Sequence, residues 1–116
     1  MATLFLAVVG SLYIFLGAWC AVSPGTTSKT VGFQLTPGAG QSEFLTVYGG
    51  LEVALGLAFL APLWGWLDVS FSLRLCLLLH ACLVLFRTAS LVIYSGLPAT
   101  TYAFAAVDWL ILALTA

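Results

Sequence analysis

Four long apolar segments constrain the fold of this sequence more than any other feature. They cover about residues 3–22, 44–66, 71–95 and 99–116, and a membrane-spanning helix needs roughly 20 predominantly apolar residues. The sequence therefore predicts an all-α fold, a transmembrane four-helix bundle with up-down-up-down topology. We expect it to form a single transmembrane domain over residues 1–116.

Charged residues are too sparse to cover a water-soluble domain. The chain is 63% hydrophobic and 6% charged, whereas soluble domains are about 25% charged. A net charge of −1 disfavours a nucleic-acid partner. The first segment is longer than the roughly 7–15 apolar residues of a signal peptide, so we expect it to be retained. The predicted location is a bacterial inner membrane or an organellar membrane.

The connections between the segments differ in length. Residues 23–43 form the only long one, and its Gly, Pro, Ser and Thr content predicts a loop. Within it, residues 31–35 alternate like a short strand or a segment lying on the membrane interface. The connections at 67–70 and 96–98 are tight, so consecutive helices there should be antiparallel neighbours.

Small residues predict close helix packing at two places. Gly10 and Gly17 are seven apart on the first helix, and Gly50, Ala54 and Ala58 recur every four residues on the second. Small residues allow helices to approach closely in lipid. These surfaces could pack within the bundle or form a dimer interface.

Three charged residues, Glu52, Arg87 and Asp108, lie deep within predicted spans. Each costs at least about 2.5–3.5 kcal/mol at the centre of a bilayer, so each should face inward and find a partner. Counting from the tight turns at about 1.5 Å per residue places all three within about 3 Å of one depth. We therefore expect Arg87 to contact Asp108, Glu52 or both.

Further polar residues share faces with these charges. His80 and Tyr94 lie on the stripe of Arg87, and Tyr48 lies one turn from Glu52. One interpretation is an ionic lock that fixes helix register. The other is a ligand or proton site, since two carboxylates face one guanidinium and one of them could hold a proton.

Motifs for cofactors and metals are missing from the sequence. There is one histidine, and the three cysteines form no Cys-x-x-Cys pair. No zinc-type ligand spacing and no phosphate-binding glycine loop is present. We predict no metal site and no cofactor, and the lack of a recognisable catalytic set favours a non-catalytic role.

A motif at the start of the second segment carries a family resemblance. It reads Ser42-Glu43-Phe44, then Val47-Tyr48-Gly49-Gly50-Leu51-Glu52, then Leu55-Gly56-Leu57, accompanied by Pro24, Gly32, Arg87 and Asp108. The pattern resembles a family of small, uncharacterised bacterial four-helix membrane proteins similar to DoxX-like proteins. The family usually has Glu where this chain has Asp108. The resemblance implies the bundle and no reaction, although DoxX-like relatives are linked to quinone-coupled sulfur oxidation.

Three functions fit these observations. The first is a non-catalytic structural or accessory subunit of a larger membrane complex, such as a respiratory or photosynthetic one, with the bilayer and other subunits or itself as partners. The second is a DoxX-like module binding a quinone or other lipophilic molecule at Glu52, Arg87 and Asp108. The third is a small proton-coupled transporter, against which stands the absence of an acid in the first helix.

Overall fold

The computed structural model describes all residues, 1–116, and its regular elements are all helices, with no strand. Its helices are α1 (Ala2–Val22), α2 (Pro24–Thr30), α3 (Ala39–Trp64), α4 (Val69–Ile93) and α5 (Ala99–Thr115). Three of them, α1, α3 and α4, are long and apolar enough to cross a membrane, which indicates a membrane protein. The fourth span, and with it the up-down-up-down bundle, stays a prediction.

The chain divides into two compact units. The first comprises Met1–Ser72 and contains α1, α2 and α3; the second comprises Leu73–Ala116 and contains nearly all of α4 together with α5. Each unit has a helical hairpin at its centre. The single domain over residues 1–116 stays a prediction.

The connection predicted as a loop over residues 23–43 is partly helical. Pro24 begins α2, as its fixed φ favours at a first helical position. The Thr27 hydroxyl then donates a hydrogen bond to the Ser23 carbonyl at 2.9 Å. Residues 31–35 form a turn and irregular backbone without a partner strand, so the strand interpretation is wrong. Gly32, with φ of 94°, takes the left-handed conformation just beyond the helix.

Helix α3 changes its backbone geometry along its length. It is α-helical at Ala39–Phe44, π-helical at Leu45–Leu51, α-helical again at Glu52–Leu60 and 3₁₀-helical at Ala61–Trp64. It therefore begins about five residues earlier than predicted. π-Helical turns are rare and often occur at functional sites. Here the π segment coincides with the motif that carries the family resemblance.

Glycines bring α1 and α3 into close contact. A methyl group on Gly56 would lie 2.7 Å from the Gly10 carbonyl oxygen and 2.5 Å from Ile14 Cγ1. One on Gly17 would lie 3.0 Å from the Gly49 carbonyl oxygen. Gly10 thus lies opposite Gly56, and Gly17 lies opposite Gly49. Residue numbers rise along α1 as they fall along α3, so the two helices are antiparallel.

This contact confirms one small-residue surface and corrects the other. Gly10 and Gly17 pack within the chain, against α3, which agrees with the first of the two interpretations. Gly50 and Ala54 are exposed, and a methyl group on Gly50 would meet no atom within 4 Å. The prediction that the Gly50–Ala54–Ala58 stripe packs within the chain is therefore wrong for Gly50 and Ala54, because α1 contacts the neighbouring face.

Helices α4 and α5 form the hairpin of the second unit. Gly96, with φ of 70°, lies in the short connection between them. Side chains meet at two levels: Arg87 with Asp108 and Thr88 with Trp109 at one, and Cys76 with Thr115 at the other. Residue numbers rise along α4 as they fall along α5, so the two helices are antiparallel.

Candidate functional site

An ion pair joins the two helices of the second unit. The Arg87 Nε atom donates a hydrogen bond to Asp108 Oδ2 at 2.8 Å, and the side chains are 31% and 12% exposed. This length is typical of a charge-assisted hydrogen bond. The predicted contact between Arg87 and Asp108 is confirmed.

An aromatic ring also contacts the guanidinium. Phe104 lies one turn before Asp108 on α5, and its ring centroid is 5.8 Å from Arg87 Cζ. Residues four apart on a helix share a face, so α5 presents both a carboxylate and a ring to Arg87. A cation over a ring within about 6 Å is attracted by the negative π face. Sequence reasoning missed Phe104, although its spacing from Asp108 is a usable signal.

Glu52 lies in the first unit, at the interface of α1 and α3. Its Cβ would be 3.0 Å from a methyl group on Gly17, so the residue is directed towards α1. It is half-buried. The inward direction agrees with the prediction. A common cluster of Glu52 with the Arg87–Asp108 pair stays a prediction.

His80 is a buried, hydrogen-bonded residue of the second unit. Its Nδ1 lies 2.8 Å from the Cys76 carbonyl oxygen, which can only accept, so Nδ1 carries the hydrogen. The Cys76 thiol is 3.5 Å from the same nitrogen and 3.8 Å from Thr115 Oγ1. This local bonding orients the ring and fixes its tautomer. In the predicted set of polar residues, His80 is the most deeply buried.

The two tyrosines of the predicted site have different environments. Tyr94 follows the last residue of α4 and is 64% exposed. Its position at a helix end suits an interfacial residue. Tyr48 is half-buried in the π segment of α3 and stacks on Phe44, with ring centroids 4.8 Å apart. The structure thus places Tyr48 in an aromatic cluster and Tyr94 at a surface.

A groove of about 270 Å³ opens beside this aromatic cluster. Phe33 contacts both other rings edge-on, at 6.1 Å from Phe44 and 5.4 Å from Tyr48. We call this site the aromatic groove; its lining residues are Phe33, Gln34, Leu35, Thr36, Gly40, Glu43, Phe44, Val47 and Tyr48. Sequence reasoning found only Tyr48, because the groove depends on how residues 33–36 fold back onto the start of α3.

No group of three or more His, Cys, Asp or Glu side chains lies close enough together to hold a metal ion. The candidate site residues instead fall into three features: the Arg87–Asp108 ion pair beside Phe104, the hydrogen-bonded His80, and the aromatic groove. The chain matches no protein-family model, and no curated protein or solved structure is significantly similar to it.

Proposed function

We propose that this chain is a small multi-pass membrane protein that acts as a non-catalytic accessory subunit of a larger membrane complex. The observation that carries the proposal is the division of polar and apolar residues in the hairpins. The Arg87–Asp108 ion pair lies between the two helices of one hairpin, while large apolar side chains are exposed on the outer faces. Such a molecule offers surfaces for lipid and for other helices.

The outward faces support this role. Several large side chains of α4 are strongly exposed, among them Leu85 at 66% and Phe86 at 75%. A residue of this kind is stable against lipid or against a neighbouring helix. On α3 the exposed Gly50 and Ala54 present a flat surface, and flat surfaces favour a second helix because they allow close backbone approach.

The ion pair has a structural role in this proposal. A guanidinium paired with a carboxylate at membrane depth avoids the cost of two isolated charges. The pair joins α4 to α5 at a defined level, so it fixes their register. We infer that Arg87 and Asp108 act as an ionic lock that keeps the outward faces in one arrangement.

Purification from native membranes tests the accessory role. Blue native electrophoresis in mild detergent should show the 12.3 kDa chain in a larger species, and cross-linking mass spectrometry should place partner peptides beside the Gly50–Ala54 face. Ala54→Trp should remove the larger species because the bulky ring prevents close approach. Leu78→Trp, on an exposed face of α4, is the matched control. Recovery of only a monodisperse monomer or homodimer would contradict the proposal.

A second candidate is a DoxX-like module that binds a quinone or another lipophilic molecule. The aromatic groove favours it, since planar rings stack well on aromatic side chains. Titrating a soluble quinone analogue against wild type, Arg87→Ala and Tyr48→Leu separates two locations. Loss of binding in Arg87→Ala supports the charge pair, loss in Tyr48→Leu supports the groove, and unchanged binding in both rules out both.

A further inference from the structure

The aromatic groove lies at one end of α3, where the helix should leave the hydrocarbon core. Helix α3 has 26 residues and is roughly 38 Å long, which exceeds a core of about 30 Å. Trp64 and Trp66 at its other end are exposed and suited to the membrane interface. The excess length therefore falls at the Ala39 end, which places the groove at headgroup level.

The lining of the groove has the chemistry of a cation site. Glu43 is its only charged residue, and Phe33, Phe44 and Tyr48 add aromatic rings. A carboxylate and aromatic rings in one lining favour a positive group, and aromatic residues are the usual partners of quaternary ammonium. Gln34 and Thr36, also in the lining, carry donors for a neighbouring phosphate or ester oxygen.

We propose that the aromatic groove binds the choline headgroup of a membrane phospholipid. A primary ammonium carries three N–H donors that need acceptors, whereas a quaternary ammonium needs only a negative and aromatic surface. The volume of about 270 Å³ is slightly below the range of drug-sized ligand sites, about 300–1,000 Å³, so the headgroup enters and the acyl chains stay outside. Exposed Val47 and Leu51, one turn apart on α3, continue from the groove along the chains' path into the bilayer.

Lipid titration of the full chain in a detergent without choline tests the charge in the groove. Native mass spectrometry would count bound dioctanoyl phosphatidylcholine and dioctanoyl phosphatidylglycerol. We expect the choline lipid to bind at least about threefold more tightly. Glu43→Gln should abolish this preference and Glu43→Lys should reverse it. Asp68→Asn, at an exposed acid outside the groove, is the matched control and should retain it.

The aromatic contribution needs its own variant. Phe33 is on the connection and 41% exposed, so Phe33→Leu keeps an apolar side chain and should leave far-UV circular dichroism unchanged. It should weaken choline-lipid binding about threefold to fivefold without affecting the glycerol lipid. Phe71→Leu, at an exposed residue of α4, is the control. Equal binding of both lipids by wild type, or a preference that survives in Glu43→Lys and Phe33→Leu, would overturn the proposal.

Discussion

At the scale of single residues, the Arg87–Asp108 pair joins α4 to α5. Arg87 donates a short hydrogen bond to Asp108, and the Phe104 ring of α5 lies against the guanidinium. Removing one member leaves the other charge unpaired in a poorly solvated place, which is far more costly than losing the bond itself. The pair should therefore behave as a unit in mutational experiments.

We expect Asp108→Ala to lower the free energy of unfolding by about 3 kcal/mol, because Arg87 then keeps its charge without a partner. The double variant Arg87→Met with Asp108→Leu should lie within about 1 kcal/mol of wild type, since apolar residues of similar size often replace an ion pair without loss. Reversible unfolding in SDS and mild detergent, followed by far-UV circular dichroism, measures both values.

The control for this experiment is Lys29→Ala, at an exposed lysine of α2, which should change the free energy of unfolding by less than about 0.5 kcal/mol. If the single and double variants at Arg87 and Asp108 are equally destabilised, the two residues are not coupled. The ionic lock would then be ruled out even though the side chains lie in contact.

At the scale of elements, the glycine contacts hold α1 against α3. A methyl group on Gly56 would lie 2.7 Å from the backbone oxygen of Gly10, so accommodating it requires the helices to separate. Overfilling a packed interface typically costs about 1–3 kcal/mol. We expect Gly56→Ala to lower the free energy of unfolding by this amount in the same SDS assay.

Gly50→Ala is the matched control, because Gly50 lies on the same helix with open space around it. Alanine should raise helix propensity at both positions, by up to about 1 kcal/mol. The difference in unfolding free energy between the two variants therefore isolates the close approach to α1. Equal stability of Gly56→Ala and Gly50→Ala would show that the helices are further apart than described.

The sequence predicted some of these elements well, for physical reasons. Apolar length located the long helices, and counting residues from the tight turn at 96–98 brought Arg87 beside Asp108. It did not distinguish the Gly49–Gly56 face of α3 from the Gly50–Ala54 face, because both carry small residues and helical phase depends on packing. Gly49 and Gly56 have the same seven-residue spacing as Gly10 and Gly17, and this match indicates which face of α3 contacts α1.

Other features depend on contacts that a one-dimensional pattern does not encode. The π segment at Leu45–Leu51 lies within an apolar run that a regular helix would fit equally well. The aromatic groove requires Phe33 to reach Phe44 and Tyr48 across an irregular connection. Of the candidate site, the sequence therefore supplied the ionisable residues and their helices, while the local surroundings required three-dimensional structure.

At the scale of the whole molecule, the number of spans decides the topology. Helix α5 has 17 residues, about 25 Å, against a hydrocarbon core of about 30 Å. It runs along α4, however, and Thr115 still contacts Cys76, which lies seven residues after the first residue of α4. The end of α5 is therefore about 10 Å short of the start of α4. Since α4, with 25 residues, exceeds the core by about 7 Å, α5 ends close to the membrane boundary.

This geometry predicts four spans, with both termini on the same side of the membrane. Reporters fused before Met1, after Ala116 and within the connection at 96–98 test it, using one reporter that is active only outside the cytoplasm and one that fluoresces only inside. We expect the two terminal fusions to agree and the fusion at 96–98 to give the opposite result. The connection at 96–98 follows α4 directly, so the fusion at this connection also checks that α4 has crossed the membrane. Terminal fusions that report opposite sides would mean that α5 does not cross the bilayer but turns back or lies along the interface. In that case Asp108 would reach Arg87 from the side of the connection at 96–98.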